Sequence, residues 1–488
     1  MMKKKVMAMI LALAMGAAAL SGCQTVTTEE AGETSADPAA ETASAETGSS
    51  DAMKGNGDKT INVFLYMQEH EKEIYKGLIE EFVAEHKDEI KEVVFEVTTQ
   101  DEYNTKMIAN MTANDMPDVF YVGPAGVRSF VDNGYILPLD DYVDEETIGK
   151  TWGTTQSIYR YDGKNVGEGS LYALPKDLSC FAFAYNADLF DAAGLEYPDP
   201  ENPYTYDEFL EVCKALTIDK DGDGEIDQWG VANANQFGMT PYLYSNGVQF
   251  LSDDMTKVNV ANNEPLKNAL EFYTNLTLDG YTPSVDQDTA LGGYQRWLDG
   301  QIGFYACGTW DVAAFMDQAT FPYKWNLCGW PIGPDGDGRS HTWMGSVGYC
   351  VSKTTENPDL CAELIAKLST DEDGQKAVSG ITTGNSIQLP NISDLAYGEF
   401  LDAVNEGKLP FPSNVRVIFG YFEGDEHYAA ALQETDYTYN SEWFTPFWSG
   451  VQNIQRGNIS VEDFLTEVEP EMQKSLDNAI ELQNSATN

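Results

Sequence analysis

Between Thr60 and Val122 the apolar positions change period in a regular order. Ile61-Asn62-Val63-Phe64-Leu65-Tyr66 is a β-prone run, and from Glu71 to Glu85 apolar side chains recur at Ile74, Leu78, Ile79 and Phe82, the spacing of one helical face. Val93 to Val97 returns to strand, about Asp101 to Thr112 to helix, and Pro117 to Val122 to a buried strand ending at Gly123-Pro124. This alternation predicts an α/β fold with a parallel sheet, whose ligand would lie beyond the carboxyl ends of the strands. Met67 to His70 and Tyr121 to Ala125 then share one rim, which makes Gln68, Glu69 and Tyr121 candidate ligand contacts.

Two later apolar passages interrupt the alternation. Leu171-Tyr172-Ala173-Leu174-Pro175-Lys176-Asp177 leads into Cys180 to Tyr185, and Gly345-Ser346-Val347-Gly348-Tyr349-Cys350-Val351 precedes a helix starting near Asn357-Pro358. Both read as strands crossing between two lobes, and lobes joined by paired strands can rotate about a few torsions and close on a ligand. The first lobe is expected over about 60–183 and 352–400, the second over about 185–347 and 405–488. Trp343 falls at the cleft mouth on this reading. Asp177 ends the turn ahead of the first crossing, where a carboxylate could accept charge-assisted hydrogen bonds from hydroxyls.

The amino terminus is of a different kind. Lys3, Lys4 and Lys5 precede an apolar run from Val6 to Leu20, too short to span a bilayer, and Leu20-Ser21-Gly22-Cys23 reads as a lipoprotein cleavage site. Residues 1–22 are therefore expected to be removed and Cys23 to carry the lipid that holds the protein at the outer face of a cell membrane. From Gln24 to Asp58 the chain is almost wholly Thr, Glu, Ala, Ser, Gly and Asp. It predicts a disordered acidic leash whose roughly 35 residues span on the order of 30 Å.

The remaining 430 or so residues are long for one core and suit two lobes. The net charge of −50 argues against nucleic acid as a partner, since phosphate backbones demand a basic face. The 26 Tyr, 22 Phe and 9 Trp suit neutral polyols instead, whose C–H faces stack on aromatic planes. Six cysteines follow Cys23 without a CxxC pair, which leaves disulfides and buried thiols both open. The four scattered histidines make a zinc site improbable.

Asp219-Lys220-Asp221-Gly222-Asp223-Gly224-Glu225-Ile226-Asp227-Gln228-Trp229-Gly230 matches the calcium loop of EF-hands. Carboxylates stand at loop positions one, three, five and nine, glycine at six and isoleucine at eight. Asp219, Asp221, Asp223, Glu225 and Asp227 are the candidate ligands of a structural Ca²⁺, and the departure is Gly230 in place of the bidentate Glu at position twelve.

Taken together these landmarks resemble the family 1 extracellular solute-binding proteins of ABC importers, the group that includes maltose- and oligosaccharide-binding proteins. The pieces that carry the resemblance are Pro117-Asp118-Val119-Phe120-Tyr121 with Leu137-Pro138-Leu139-Asp140; Leu171 to Asp177; Tyr185-Asn186-Ala187-Asp188-Leu189-Phe190-Asp191-Ala192-Ala193-Gly194-Leu195; Gly303 to Trp310; and Ser369 to Gln375. The resemblance implies a two-lobe periplasmic-binding-protein-like fold of class II, with hinge strands and an interlobe cleft. It also implies a monomer that captures a mono- or oligosaccharide and passes it to permease subunits, with no organic cofactor and no catalysis. On the same resemblance Trp310 stacks on a pyranose, with Asn246 and Arg416, the latter ahead of a Val417-Ile418-Phe419 strand, as further contacts. The competing class is a surface-anchored carbohydrate-active enzyme, a glycoside hydrolase or lyase, whose paired carboxylates need no sequence motif; no GxSxG element occurs.

Overall fold

The computed structural model describes residues 49–232, 236–384 and 388–486. The signal segment, Cys23 and most of the leash lie outside the described residues. The strands are β1 (Ser49–Lys54), β2 (Lys59–Tyr66), β3 (Ile90–Thr98), β4 (Val119–Val122), β5 (Arg160–Tyr161), β6 (Ser170–Leu171), β7 (Leu174–Pro175), β8 (Ser179–Asn186), β9 (Trp229–Ala232), β10 (Ile302–Gly308), β11 (Trp325–Cys328), β12 (Ser340–Gly345), β13 (Gly348–Val351) and β14 (Tyr428–Ala431). They form two six-stranded sheets and a β5–β6 ribbon. The first sheet runs β1-β3-β2-β4-β13-β7, and the second runs β14-β12-β8-β10-β9 with β11 beside β8.

In the first sheet β2 is parallel to β3 and β4, as the alternation predicts. The helices Glu69–Glu85, Gln100–Ala113 and Pro358–Ser369 contribute Ile79, Phe82, Met107, Leu364 and Ile365 to one apolar cluster with the strands. The second sheet has its own cluster, built by Phe183, Phe304, Trp330 and Tyr242 with Phe447 and Leu476 from the carboxyl-terminal helices. All eight residues of β8 are buried, which is why that strand reads as an unbroken apolar run. Two cores under two sheets make two lobes.

The boundaries differ from the sequence expectation in three places. β8 lies wholly in the second sheet, so the first crossing is the short stretch after Pro175 and not Cys180 to Tyr185. A strand buried on both faces reads the same inside a lobe as between lobes. The second crossing falls between Gly345 of β12 and Gly348 of β13. Leu389, Ala396 and Phe400 pack into the second core, so the first lobe ends before 389 and not near 400, and a third connection lies between Val378 and Leu389.

The leash is also shorter than its composition suggests. Ser49–Lys54 pairs antiparallel with β3 as an edge strand, anchored by buried Met53, with Lys54 on Glu92 and Asp51 on Lys72. Backbone pairing needs only one apolar anchor here, and a composition of small polar residues does not register it. Val417-Ile418-Phe419, read as a strand, lies in the helix Arg416–Glu423; short β-branched runs do not separate the two states. The six cysteines of the folded body are all buried and free, and burial raises their thiols. Among the described residues no helix is long and apolar enough to cross a membrane.

Candidate functional site

The two crossings run side by side and are stitched together. The Lys176 N–H donates to the Val347 carbonyl at 2.8 Å, and the Asp177 N–H donates to Ser346 Oγ at 3.0 Å. Asp177 Oδ1 accepts from the hydroxyls of Ser346 at 2.8 Å and Ser179 at 2.6 Å. Asn391 Nδ2, just past the third connection, donates to the carbonyls of Pro175 and Lys176. Lys176 Nζ sits 2.7 Å from Glu71 Oε1 and 3.4 Å from Asp177 Oδ2, with its side chain 12 % exposed. Burial opposes its charge, but Glu71 and Asp177 outweigh that and hold the ammonium protonated well above the usual lysine range. Asp177 is thus a hinge residue: the oxygen offered to a sugar hydroxyl is already taken, and the other faces Lys176.

The first wall of the cleft is the carboxyl end of β2 and β4. Gln68 and Glu69 are exposed there, at the start of the helix that Glu71 caps by accepting the Gln68 N–H at 2.7 Å. Tyr121 is not in this wall. Its side chain is buried in β4, and Tyr103 clamps its backbone, donating to the Tyr121 carbonyl at 2.7 Å and accepting from its N–H at 2.9 Å. The ring nearer the rim is half-buried Tyr66, edge-on to Tyr121 at 5.3 Å. A four-residue strand buried on both faces gives no alternation from which to choose between them.

The second wall is the facing end of the other sheet. Trp310 follows β10 in the turn Thr309–Asp311, and Trp343 lies near the end of β12. β8 runs between those strands, pairing Phe181 with Gly308 and Cys180 with Met344. The outcome is a row of rings: Trp310 edge-on to Phe181 at 6.5 Å, and Phe181 tilted on Trp343 at 4.9 Å. Trp310 is 43 % exposed, Trp343 is half-buried and Phe181 is buried. Glycines make room for both indoles, since a Cβ on Gly308 would stand 1.9 Å from the Trp310 ring and one on Gly345 2.4 Å from the Trp343 ring. Both sequence-predicted tryptophans thus come to one wall.

The Trp343 Nε1–H donates to Asp436 Oδ2 at 3.0 Å, and Gln433 Nε2 donates to Oδ1 at 3.3 Å. Burial pushes the Asp436 carboxyl up to about 6, against the pull of Trp343 and Gln433. Asp311, behind Trp310, is likewise pushed up to about 6 by burial while accepting the Gly308 N–H at 3.0 Å. The turn Glu434–Asp436 touches Pro124–Gly126 of the first lobe, so the two rims face each other. Phe181, Asp436 and Tyr66 had no signal in the sequence beyond their residue type; proximity in the fold brings them in.

Two predicted contacts fall elsewhere. Asn246 is buried and fully engaged: its Nδ2 donates to the Pro265 carbonyl and Asp335 Oδ2, and its Oδ1 accepts from the Asp335 N–H. It pins the loop around Gly333, because an amide between two buried backbones is bound by them before any ligand arrives. Arg416 is exposed at the first turn of its helix, near Tyr397. An open groove of about 1170 Å³, lined by Glu85, His86, Lys150 and Lys367 among others, lies apart from these rims.

The acidic loop folds with Asp219, Asp221 and Asp227 carboxyl oxygens within 4.8 Å of one another. Asp223 and Glu225 are outside that cluster, and Asp223 accepts the Glu225 N–H at 2.8 Å. Gly230 opens into β9, where a Cβ would stand 2.6 Å from Cys213, so the site of the usual position-twelve Glu is filled by packing. Three carboxylates with room for water fit a hard cation that takes oxygen ligands.

A family model described as bacterial extracellular solute-binding protein matches residues 68–376. Among curated relatives, a lactose-binding protein of Rhizobium radiobacter is 22% identical over 65% of this chain and 75% of its own length. A diacetylchitobiose-binding protein of Streptomyces coelicolor is 22% identical over 71% of this chain and 78% of its own. A Listeria monocytogenes ABC substrate-binding protein, solved in complex with cycloalternan, superposes with a TM-score of 0.69 at 20% identity, over 86% of this chain and 100% of the other. A cyclic α-maltosyl-1,6-maltose-binding protein of Arthrobacter globiformis gives 0.68 at 19%, again over 86% and 100%.

Proposed function

The chain belongs to the bacterial extracellular solute-binding protein family, and on that premise we propose that it captures a neutral mono- or oligosaccharide between its lobes and delivers it to the permease subunits of an ABC importer. A lipid on Cys23 would keep it at the outer face of the membrane. The observation that carries this reading is the Trp310-Phe181-Trp343 row on one of two facing rims. Sugar C–H faces stack on such rings, while Gln68 and Glu69 opposite offer the amide and carboxylate that hydroxyls need. The relatives named for lactose and diacetylchitobiose, and the neighbour solved with cycloalternan, support a carbohydrate ligand. Family membership weighs against the hydrolase or lyase alternative. Closure would be a population shift, driven by contacts that exist only when both rims touch the sugar.

Removing the exposed ring tests the wall directly. Trp310→Ala is expected to weaken sugar binding by about 1 to 3 kcal/mol, the scale of an aromatic's burial. A dissociation constant unchanged by calorimetry would remove Trp310 from the site.

We also propose that Asp219, Asp221 and Asp227 hold a structural Ca²⁺, with water completing the shell. Calcium at about a hundred times its Kd should stabilise the fold by about 2.7 kcal/mol, seen as a rise in Tm that Asp219→Ala abolishes. No rise on titrating calcium into chelator-treated protein would reject the site.

A further inference from the structure

After β14 the chain of the second lobe makes an excursion that ends in the first lobe. Its base is fixed by the second core: Glu434 accepts the N–H groups of Phe250 and Leu251 at 3.0 and 2.7 Å, and the Trp443 Nε1–H donates to Thr438 Oγ1 at 2.9 Å. Phe250, Leu251 and Trp443 all belong to the second apolar cluster. Tyr437, between these two anchors, does not. Its half-buried ring packs against the first cluster, close enough to Gly167 that a Cβ there would stand 3.7 Å from it. Ser157, beside Ile158 and Tyr159 of the first core, is near enough to act on its hydroxyl. A ring carried by one lobe and seated in the other is a peg in a socket.

A second tie stands beside the peg. Arg128 lies in the helix Val127–Asp132, directly after Pro124–Gly126, and is buried. Its guanidinium lies 5.5 Å over the Tyr161 ring, and it donates to the Lys164 carbonyl and, at 3.4 Å, to Gln483 Oε1 of the carboxyl-terminal helix Val461–Ala486. Tyr161 belongs to the first core, whereas Leu476 of that helix belongs to the second. Buried Tyr439 is close enough to Asp132 and Arg128 to feel both charges. Neither tie runs through the crossings. Both adjoin the place where the rims face each other, because the turn Glu434–Asp436 touches Pro124–Gly126 and holds Trp343 through Asp436.

Lobes that rotate about paired strands bring their cleft-side surfaces together on closing and part them on opening. Contacts on that side therefore favour the closed form and are lost in the open one. We propose that Tyr437, seated against the first lobe beside the Arg128–Gln483 tie, is a clasp that draws the lobes together without any ligand, so that the chain itself sets how often the cleft opens. A ligand then adds its contacts to a closed form that the protein already populates. The seat is apolar, so the ring carries the clasp and the hydroxyl adds little.

The test is small-angle X-ray scattering from the full chain with no ligand added, fitted as a mixture of open and closed forms. Tyr437→Ala should raise the ratio of open to closed molecules by about fivefold to tenfold, the scale of losing a half-buried ring, and move the curve to a larger radius of gyration. Tyr437→Phe keeps the ring and should leave the curve as it is. Gln483→Ala removes one hydrogen bond to a charged group and should shift the ratio the same way by about twofold or more. A Tyr437→Ala curve that superposes on the native one with the thermal transition preserved, or that becomes more compact, would overturn the clasp. Should Tyr437→Ala fail to fold, the Gln483→Ala curve decides by the same two outcomes. No sugar enters the measurement, so the capture reading stands or falls separately.

Discussion

Lys176→Met is expected to destabilise the protein by about 3 to 5 kcal/mol, the cost of leaving buried charge without its partner. The side chains of Glu71 and Asp177 are 7 % and 14 % exposed, and both carboxylates lean on this one ammonium. Methionine fills the same space and supplies no charge, so the two acids must either remain ionised together in a poorly solvated pocket or take up protons. Urea unfolding at neutral pH measures the loss. Adding Glu71→Gln to the variant should restore much of it, because the amide oxygen can still accept the Gln68 N–H that Glu71 now caps. A loss under about 1 kcal/mol would show that water solvates the cluster and that the pair behaves as a surface ion pair. The same pair ties the rim helix Glu69–Glu85 to the first crossing, so its loss should also loosen the coupling between rim and hinge.

The sequence reading and the fold agree where periodicity is strong and local. Ile74, Leu78, Ile79 and Phe82 mark the helix that forms, and the β2 and β3 runs sit within a residue or three of their strands. Trp310 came from the family resemblance and Trp343 from its place before the second crossing, and the fold sets both at the same end of the second sheet. Tyr121 and Asn246 could not be placed, since a polar or aromatic residue in a buried strand or a tight turn carries the same letter whether it faces a ligand or its own backbone. Asp177 shows the intermediate case: its position at the crossing was legible, its engagement by Ser179 and Ser346 was not, because Ser346 is 169 residues away. Asp436 joins the rim only because β14 lies beside β12, and strand order is a long-range property that no window of sequence contains.

Asp436→Asn is expected to raise stability at pH above 7 by up to about 3 kcal/mol and to remove part of the pH dependence of unfolding. The carboxyl titrates near 6 in the folded protein, against an ordinary value near 4 in the unfolded chain. Between those values the folded state holds a proton that the unfolded state has lost. Its contribution is therefore fully present below about pH 4 and disappears as pH rises through about 6, a gap of roughly two pH units worth about 3 kcal/mol. The amide can go on accepting the Trp343 N–H, and its NH₂ can donate to Gln433 Oε1, a buried acceptor without a hydrogen-bond partner in the fold. Thermal unfolding from pH 4 to 8 should then give a flatter curve than the native chain, with Asp311 and Glu434, pushed up by burial to about 6 and about 7, supplying the slope that remains. An unchanged slope, or a variant less stable at every pH, would mean that Asp436 is solvated or that its charge is needed to hold the turn. Sugar affinity should move the opposite way, falling several-fold, because a neutral acceptor grips the indole with roughly half the strength of a carboxylate. A residue that costs stability while fixing a ring of the proposed site is the exchange expected of a functional site.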